Sequence, residues 1–179
     1  MTEAVRILVV CTANICRSVM AETYLRVEAE ERGLPIEVGS SGFLRNGEPA
    51  SDAVTTVMGE RGFDVSHHRS RITTPKIVDG VDLVVTMERA HGRRVAAMGR
   101  ARGVLTMVRA TDLLGEVDPS IADPVERIAV ADSARAEGDL LDTGPDEIDD
   151  PFGTSLEINR ATADRLRALS AGLLDGLFG

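Results

Sequence analysis

The chain has 179 residues, 43% of them apolar but only 3% aromatic, and a formal charge of −9 at pH 7. That length suits one domain, residues 1–179, with a core of aliphatic side chains and methionine, and the acidic balance argues against a nucleic-acid partner. No apolar run approaches the ~20 residues of a membrane span and the N-terminus lacks a signal peptide's basic and apolar regions, so a cytoplasmic protein with no membrane partner is expected.

Taken in chain order, Val5, Ile7, Leu8, Val9 and Val10 form an apolar run that reads as a buried parallel strand. Cys11 follows it. Five residues separate Cys11 from Arg17 and Ser18, where a helical pattern opens that runs to about Arg32, with Gly33 placed to stop it. A second strand is expected over about 36–40, and a helix over roughly 51–61 ended by Gly62. Thr74-Pro75 opens a short helix toward Val81, because proline suits the first helical turn. Strand Asp82–Thr86, helix Glu88–Met98 and a strand over about Gly103–Val108 come next.

The stretch 109–147 holds a helical pattern from about Pro124 to Glu137 and then an acidic run with Glu137, Asp139, Asp142, Asp146 and Glu147. Long connections of this kind are often functional or mobile; this one reads as a solvated excursion rather than a lid. The last helix is expected to start at Thr154, with Thr154 and Glu157 as a capping box and Leu166, Leu169 and Leu173 on one face. Arg89, Arg93, Arg94, Arg100, Arg102 and Arg109 read as a solvated face, and His67 and His91 as surface residues. The alternation gives a four-stranded, mostly parallel α/β sandwich with helices on both faces.

The chemistry concentrates at the end of the first strand. A strand, a short loop and a helix aim the loop's N–H groups and the positive helix end at one point, where a dianion can sit over a thiol. Such surroundings favour a thiolate at Cys11, and Arg17 can add a bidentate fork to phosphate oxygens. Ligands in open parallel sheets bind outside the carboxyl ends of the strands, which is where Cys11 lies. The loop has neither the glycines nor the lysine of a nucleotide-binding loop. Cys11 and Cys16, the two cysteines, make no disulfide framework, and with three histidines they show no zinc-ligand spacing, so no metal and no cofactor are expected.

Cys11-Thr12-Ala13-Asn14-Ile15-Cys16-Arg17-Ser18 resembles the phosphate loop of the bacterial low-molecular-weight protein tyrosine phosphatases. Ser40-Ser41-Gly42, Ser66-His67-His68-Arg69-Ser70-Arg71 and Asp150-Pro151-Phe152-Gly153 match the same family in the same order. The resemblance implies a flavodoxin-like sheet of order 2-1-3-4 and hydrolysis of phosphotyrosine through a phosphocysteine at Cys11. It implies that Thr12, Ala13, Asn14, Ile15, Cys16, Arg17 and Ser18 hold the phosphate, with Ser18 also bonding the sulfur. It implies Asp150 as general acid, with Asp149 its competitor, and Asn14, Ser40 and His68 as a network beneath the loop. The implied partner is a phosphotyrosine protein, a bacterial tyrosine kinase of a capsular system among the candidates.

Some positions depart from the family. Ala13 replaces a glycine and Val19 a proline, and Arg45-Asn46 stands where animal relatives carry an aromatic wall, leaving Phe152 and the nearby Phe43 to compensate. Cys16 reads equally as a packing residue or as a partner that traps oxidised Cys11 in a disulfide. The closest alternative is the protein arginine phosphatase branch, which carries threonine at Ile15; a bulkier apolar group there should crowd a phosphoguanidinium. Arsenate reductase on the same fold needs further cysteines, and none follows Cys16. A non-catalytic phosphate-binding module would lack the nucleophile or the acid, and both are present.

Overall fold

Four apolar segments, Val5–Val10 (β1), Ile36–Ser41 (β2), Leu83–Thr86 (β3) and Val104–Thr106 (β4), pair in parallel in the order β2-β1-β3-β4. The computed structural model describes residues 3–135 and 144–179. Strand geometry sends alternate side chains to opposite faces, and β1 shows how the layers follow. Ile7 and Val9 join the larger apolar cluster, beneath helices α1 (Arg17–Arg32), α2 (Asp52–Glu60), α5 (Met107–Gly115), α6 (Pro124–Ser133) and α7 (Leu156–Phe178). Leu8 and Val10 face a smaller cluster under α3 (Pro75–Asp79) and α4 (Arg89–Ala96), with Val78 and Val95. The result is the expected three-layer sandwich. Met20, Leu25, Met58, Met107 and Leu114 are fully buried, as a core poor in aromatics requires.

Several boundaries differ from the pattern in the sequence, and at β4 and α7 the reason is a local cap. β4 stops at Thr106 rather than Val108, because the Thr106 hydroxyl accepts the Arg109 N–H and caps α5, a helix the sequence reading left out. α7 begins one residue after Ser155, which accepts the Ile158 N–H, while Thr154 donates to the Pro151 carbonyl instead of capping. α6 ends at Ser133, and Glu137, Asp139 and Asp142 lie outside the described residues.

The arginines from 89 to 109 are not merely a solvated face. Arg89 Nε donates to a buried Asp146 at 2.8 Å, and Thr106 donates to the same carboxylate at 2.7 Å, so Asp146 is a tether and not part of a solvated excursion. Arg100 donates to the carbonyls of Val78, Val81 and Asp82.

Arg127 is 4% exposed and its guanidinium donates to the carbonyls of Leu114, Val117, Asp118, Ile121 and Gly176. It thereby satisfies the C-terminal ends of α5 and α7 at once, groups that would otherwise be orphaned. Arg127→Leu should destabilise the chain by about 2–4 kcal/mol, since hydrogen bonds to a charged donor are each worth ~1.5–3 kcal/mol and buried carbonyls would lose theirs. Urea unfolding monitored by circular dichroism checks this; an unchanged midpoint would contradict the assignment.

Candidate active site

The loop from Cys11 to Cys16 joins β1 to α1, and its shape rests on Asn14. Asn14 is fully buried with φ +57°, a left-handed conformation that asparagine tolerates better than most residues. Its side chain donates to Ser18 Oγ (2.9 Å) and Ser40 Oγ (2.8 Å) and accepts from the Arg71 N–H (2.9 Å). Its carbonyl meets His68 Nε2 at 2.6 Å. Ser40 in turn donates to Glu22, one helical turn beyond Ser18 and not singled out in the sequence. Opposite the loop, a Cβ on Gly42 would lie 2.7 Å from the Asn14 nitrogen and 2.9 Å from the Thr12 carbonyl, so glycine alone fits.

Cys11 Sγ sits on the floor, 2% exposed, with Ser18 Oγ at 3.0 Å and the Asn14 N–H at 3.3 Å. Because Ser18 Oγ already accepts from Asn14, its own proton is left for the sulfur. Cys16 is also buried, 3.2 Å from Ser51 Oγ, and burial pushes its thiol up to about 11. Both sulfurs are free thiols.

Arg17 is 1% exposed. Its Nη1 donates to Glu88 (2.5 Å) and the Ile148 carbonyl (2.7 Å), and its Nη2 to Thr12 Oγ1 (3.2 Å) and Asp150 Oδ2 (2.9 Å). Its Nε is buried and has no hydrogen-bond partner. An unpaired buried donor costs about 1–3 kcal/mol, so this edge of the guanidinium is built for an acceptor.

His91 is the main correction to the sequence reading. It is 4% exposed rather than a surface residue, with Nε2 2.9 Å from Thr12 Oγ1 and Nδ1 accepting the Glu88 N–H at 3.2 Å. Burial pushes its pKa down to about 4, with nearby Arg17 and Arg94 acting in the same direction and Glu88 and Asp150 opposing. Phe43 stacks on this imidazole at 5.9 Å, and the Arg94 guanidinium lies over the Phe43 ring at 4.0 Å. Phe43 therefore braces α4 and does not wall the pocket. Leu44 takes that position.

The resulting cleft holds about 440 Å³. Thr12, Ala13 and Ile15 line its base beside Cys11, Leu44 and Phe152 form apolar walls, and Arg45, Glu48 and Asp150 border it. Leu44 and Phe152 are 57% and 62% exposed, unusual for large apolar side chains, and both flank the mouth. Asp149, the competitor of Asp150, is not among the lining residues.

The sequence model of the low molecular weight phosphotyrosine protein phosphatases matches residues 6–130, and the chain belongs to this family. It is 40% identical over 93 residues to the probable low molecular weight protein-tyrosine-phosphatase EpsP of Ralstonia solanacearum, a match covering 51% of this chain and 61% of that protein. It is 31% identical over 174 residues to the protein-arginine-phosphatase of Geobacillus stearothermophilus, covering 96% of this chain and 95% of that one. The crystal structure of the low molecular weight protein tyrosine phosphatase from T. tengcongensis superposes with a TM-score of 0.73 at 28% identity, covering 96% of this chain and 99% of that one.

The depressed pKa of His91 has a measurable consequence. Between about 6.5 and about 4 the unfolded chain carries a proton on this residue that the folded chain does not. Its contribution to stability is therefore complete above that window, falls as pH drops through it, and changes no further below. Urea midpoints across the window should fall less steeply for His91→Gln than for wild type; parallel profiles would contradict the burial argument.

Proposed function

We propose that this chain is a cytoplasmic protein-tyrosine phosphatase acting through a phosphocysteine on Cys11. The observation that carries the reading is the unpaired Nε of the buried Arg17, set in a loop whose floor is a free thiol. A phosphoryl dianion supplies acceptors for that edge, for Nη2 and for the loop N–H groups together. A reducing compartment suits two free thiols, and among the described residues no helix is long and apolar enough to cross a membrane.

The first displacement forms the P–S bond as the P–O bond to the leaving phenol breaks, and the Asp150 carboxyl gives that oxygen its proton. Arg17 and the loop N–H groups hold the three equatorial oxygens, where transition-state charge is spread. In the second displacement Asp150, now a carboxylate, takes a proton from water as the water oxygen attacks phosphorus. The P–S bond breaks, and the Ser18 hydroxyl meets the charge left on sulfur. Asp150 starts as a carboxylate on Arg17 Nη2; an arriving phosphoryl oxygen competes for that edge, and the released carboxylate takes up a proton from solvent before it serves the leaving group.

Tyrosine is favoured over arginine by what lines the cleft. Ile15, Leu44 and Phe152 offer apolar contact to an aromatic ring and no acceptor to a guanidinium. The arginine reading keeps one specific support, the near full-length match to an arginine phosphatase, and Glu48 on the cleft border is an acid it could use. A bacterial protein with phosphorylated tyrosines, such as a tyrosine kinase, is the partner proposed.

Asp150→Ala should slow phenyl phosphates with poor leaving groups by ~10²–10⁴-fold and those with good ones far less, while Asp149→Ala behaves like wild type. The substrate is tested by phosphate release from matched phosphotyrosine and phosphoarginine peptides, with Cys11→Ser as the blank. Faster tyrosine turnover is expected; faster arginine turnover would keep the chemistry and overturn the substrate.

A further inference from the structure

We propose that His91 is a positioning residue of the reaction: its imidazole fixes the Thr12 hydroxyl as a permanent donor into the cleft and holds Arg17 Nη2 in register. The inference rests on the phosphatase reading of Cys11 and adds to it a residue outside the four matching motifs.

The protons can be followed atom by atom. The Glu88 N–H points at His91 Nδ1, so Nδ1 is an acceptor and the ring proton is on Nε2. Nε2–H then donates to Thr12 Oγ1 at 2.9 Å, and Arg17 Nη2 donates to the same oxygen at 3.2 Å. A hydroxyl oxygen has two lone pairs, and these two donors occupy both. The only remaining role for the Thr12 hydroxyl is to donate, in a direction away from His91 and Arg17. Thr12 lines the cleft beside Cys11 and Asp150, so that proton faces the space a transferring phosphoryl group would fill.

The imidazole cannot turn to release Thr12. It is 4% exposed, stacked against Phe43, and tied at Nδ1 to the first turn of its own helix. Glu88 serves the same arrangement from its other end, since its backbone sets the tautomer while its carboxylate holds Arg17 Nη1. A donor fixed before the substrate arrives needs no reorganisation as charge develops, which is where preorganised groups contribute most.

The test compares His91→Leu, His91→Gln, Thr12→Val and the double variant His91→Leu/Thr12→Val. Readouts are kcat and KM on para-nitrophenyl phosphate and inhibition by orthovanadate. In glutamine the amide oxygen and nitrogen are spaced like the two ring nitrogens, so it keeps both the acceptor and the donor.

Removing one transition-state donor typically costs about 10²–10³-fold, and disturbing it through a neighbour costs less, so His91→Leu should lower kcat by about 10–100-fold with KM nearly unchanged. Vanadate should weaken in proportion. His91→Gln should recover most of the loss, and the double variant should be little worse than Thr12→Val alone. Unchanged kcat and vanadate inhibition in His91→Leu would overturn the proposal, as would a double variant whose loss is the product of the single ones. Should His91→Leu fail to fold, Thr12→Val decides, and wild-type kcat in that variant overturns the proposal. A wild-type protein that turns over neither the aryl phosphate nor a phosphopeptide would fail the phosphatase reading itself, a result visible before any variant is made.

Discussion

A single buried guanidinium holds the working end of this fold together. Arg17 starts α1, yet its donors reach Glu88 at the start of α4, the Ile148 carbonyl and Asp150 ahead of α7, and Thr12 in the loop. Taking such a charge out of water costs several kcal/mol unless opposite charge and well-placed acceptors surround it. Two carboxylates do so here, one from each neighbouring segment. The arrangement stops short of full satisfaction, because Nε lacks an acceptor. In the proposed reaction a phosphoryl group supplies that acceptor, which would make binding and structural order at this site the same interaction viewed with and without substrate.

The loop itself is kept in shape from below. Asn14 in a left-handed conformation is a strained element, and such elements persist when the surroundings over-determine them. Glu22, Ser40, Arg71 and His68 supply that surrounding set, and Gly42 allows its strand end to approach the loop backbone closely. On the other side Phe43, His91 and Arg94 form a stack that reaches Thr12. The loop is therefore braced on both faces of the sheet's carboxyl edge, where open parallel sheets place their ligands.

Much of this was legible in the chain of residues, and the failures have physical causes. The apolar run of β1, the Gly33 stop of α1 and the parallel order follow from periodicity, turn chemistry and family resemblance. Cys11, Arg17 and Ser18 are close in sequence, so their meeting was legible too. His91 was not, because its neighbours Thr12 and Phe43 are distant in sequence and one histidine on a polar helix gives no sign of burial. Phe43 looked like a pocket wall for the same reason: position near a loop says nothing about which face a side chain takes. α5 was hidden by Thr106, whose β-branched side chain continues a strand pattern while its hydroxyl caps the next helix. Asp146 sits in an acidic run that reads as solvated, and Arg127 carries no signal in the sequence; each is buried where a full set of partners compensates it.

The central claim is that phosphorus passes through the Cys11 sulfur. Rapid acid quenching of the Ser18→Ala variant during turnover of an aryl phosphate, followed by mass spectrometry of the fragments, tests it directly, since loss of the hydroxyl that meets the departing sulfur should slow the second step and let the intermediate accumulate. A phosphoryl adduct on the fragment carrying Cys11, absent when Cys11 is also replaced by alanine, which has no nucleophilic side chain, is the result expected. Turnover in Ser18→Ala with no adduct at Cys11, or with phosphate on another residue, would contradict it.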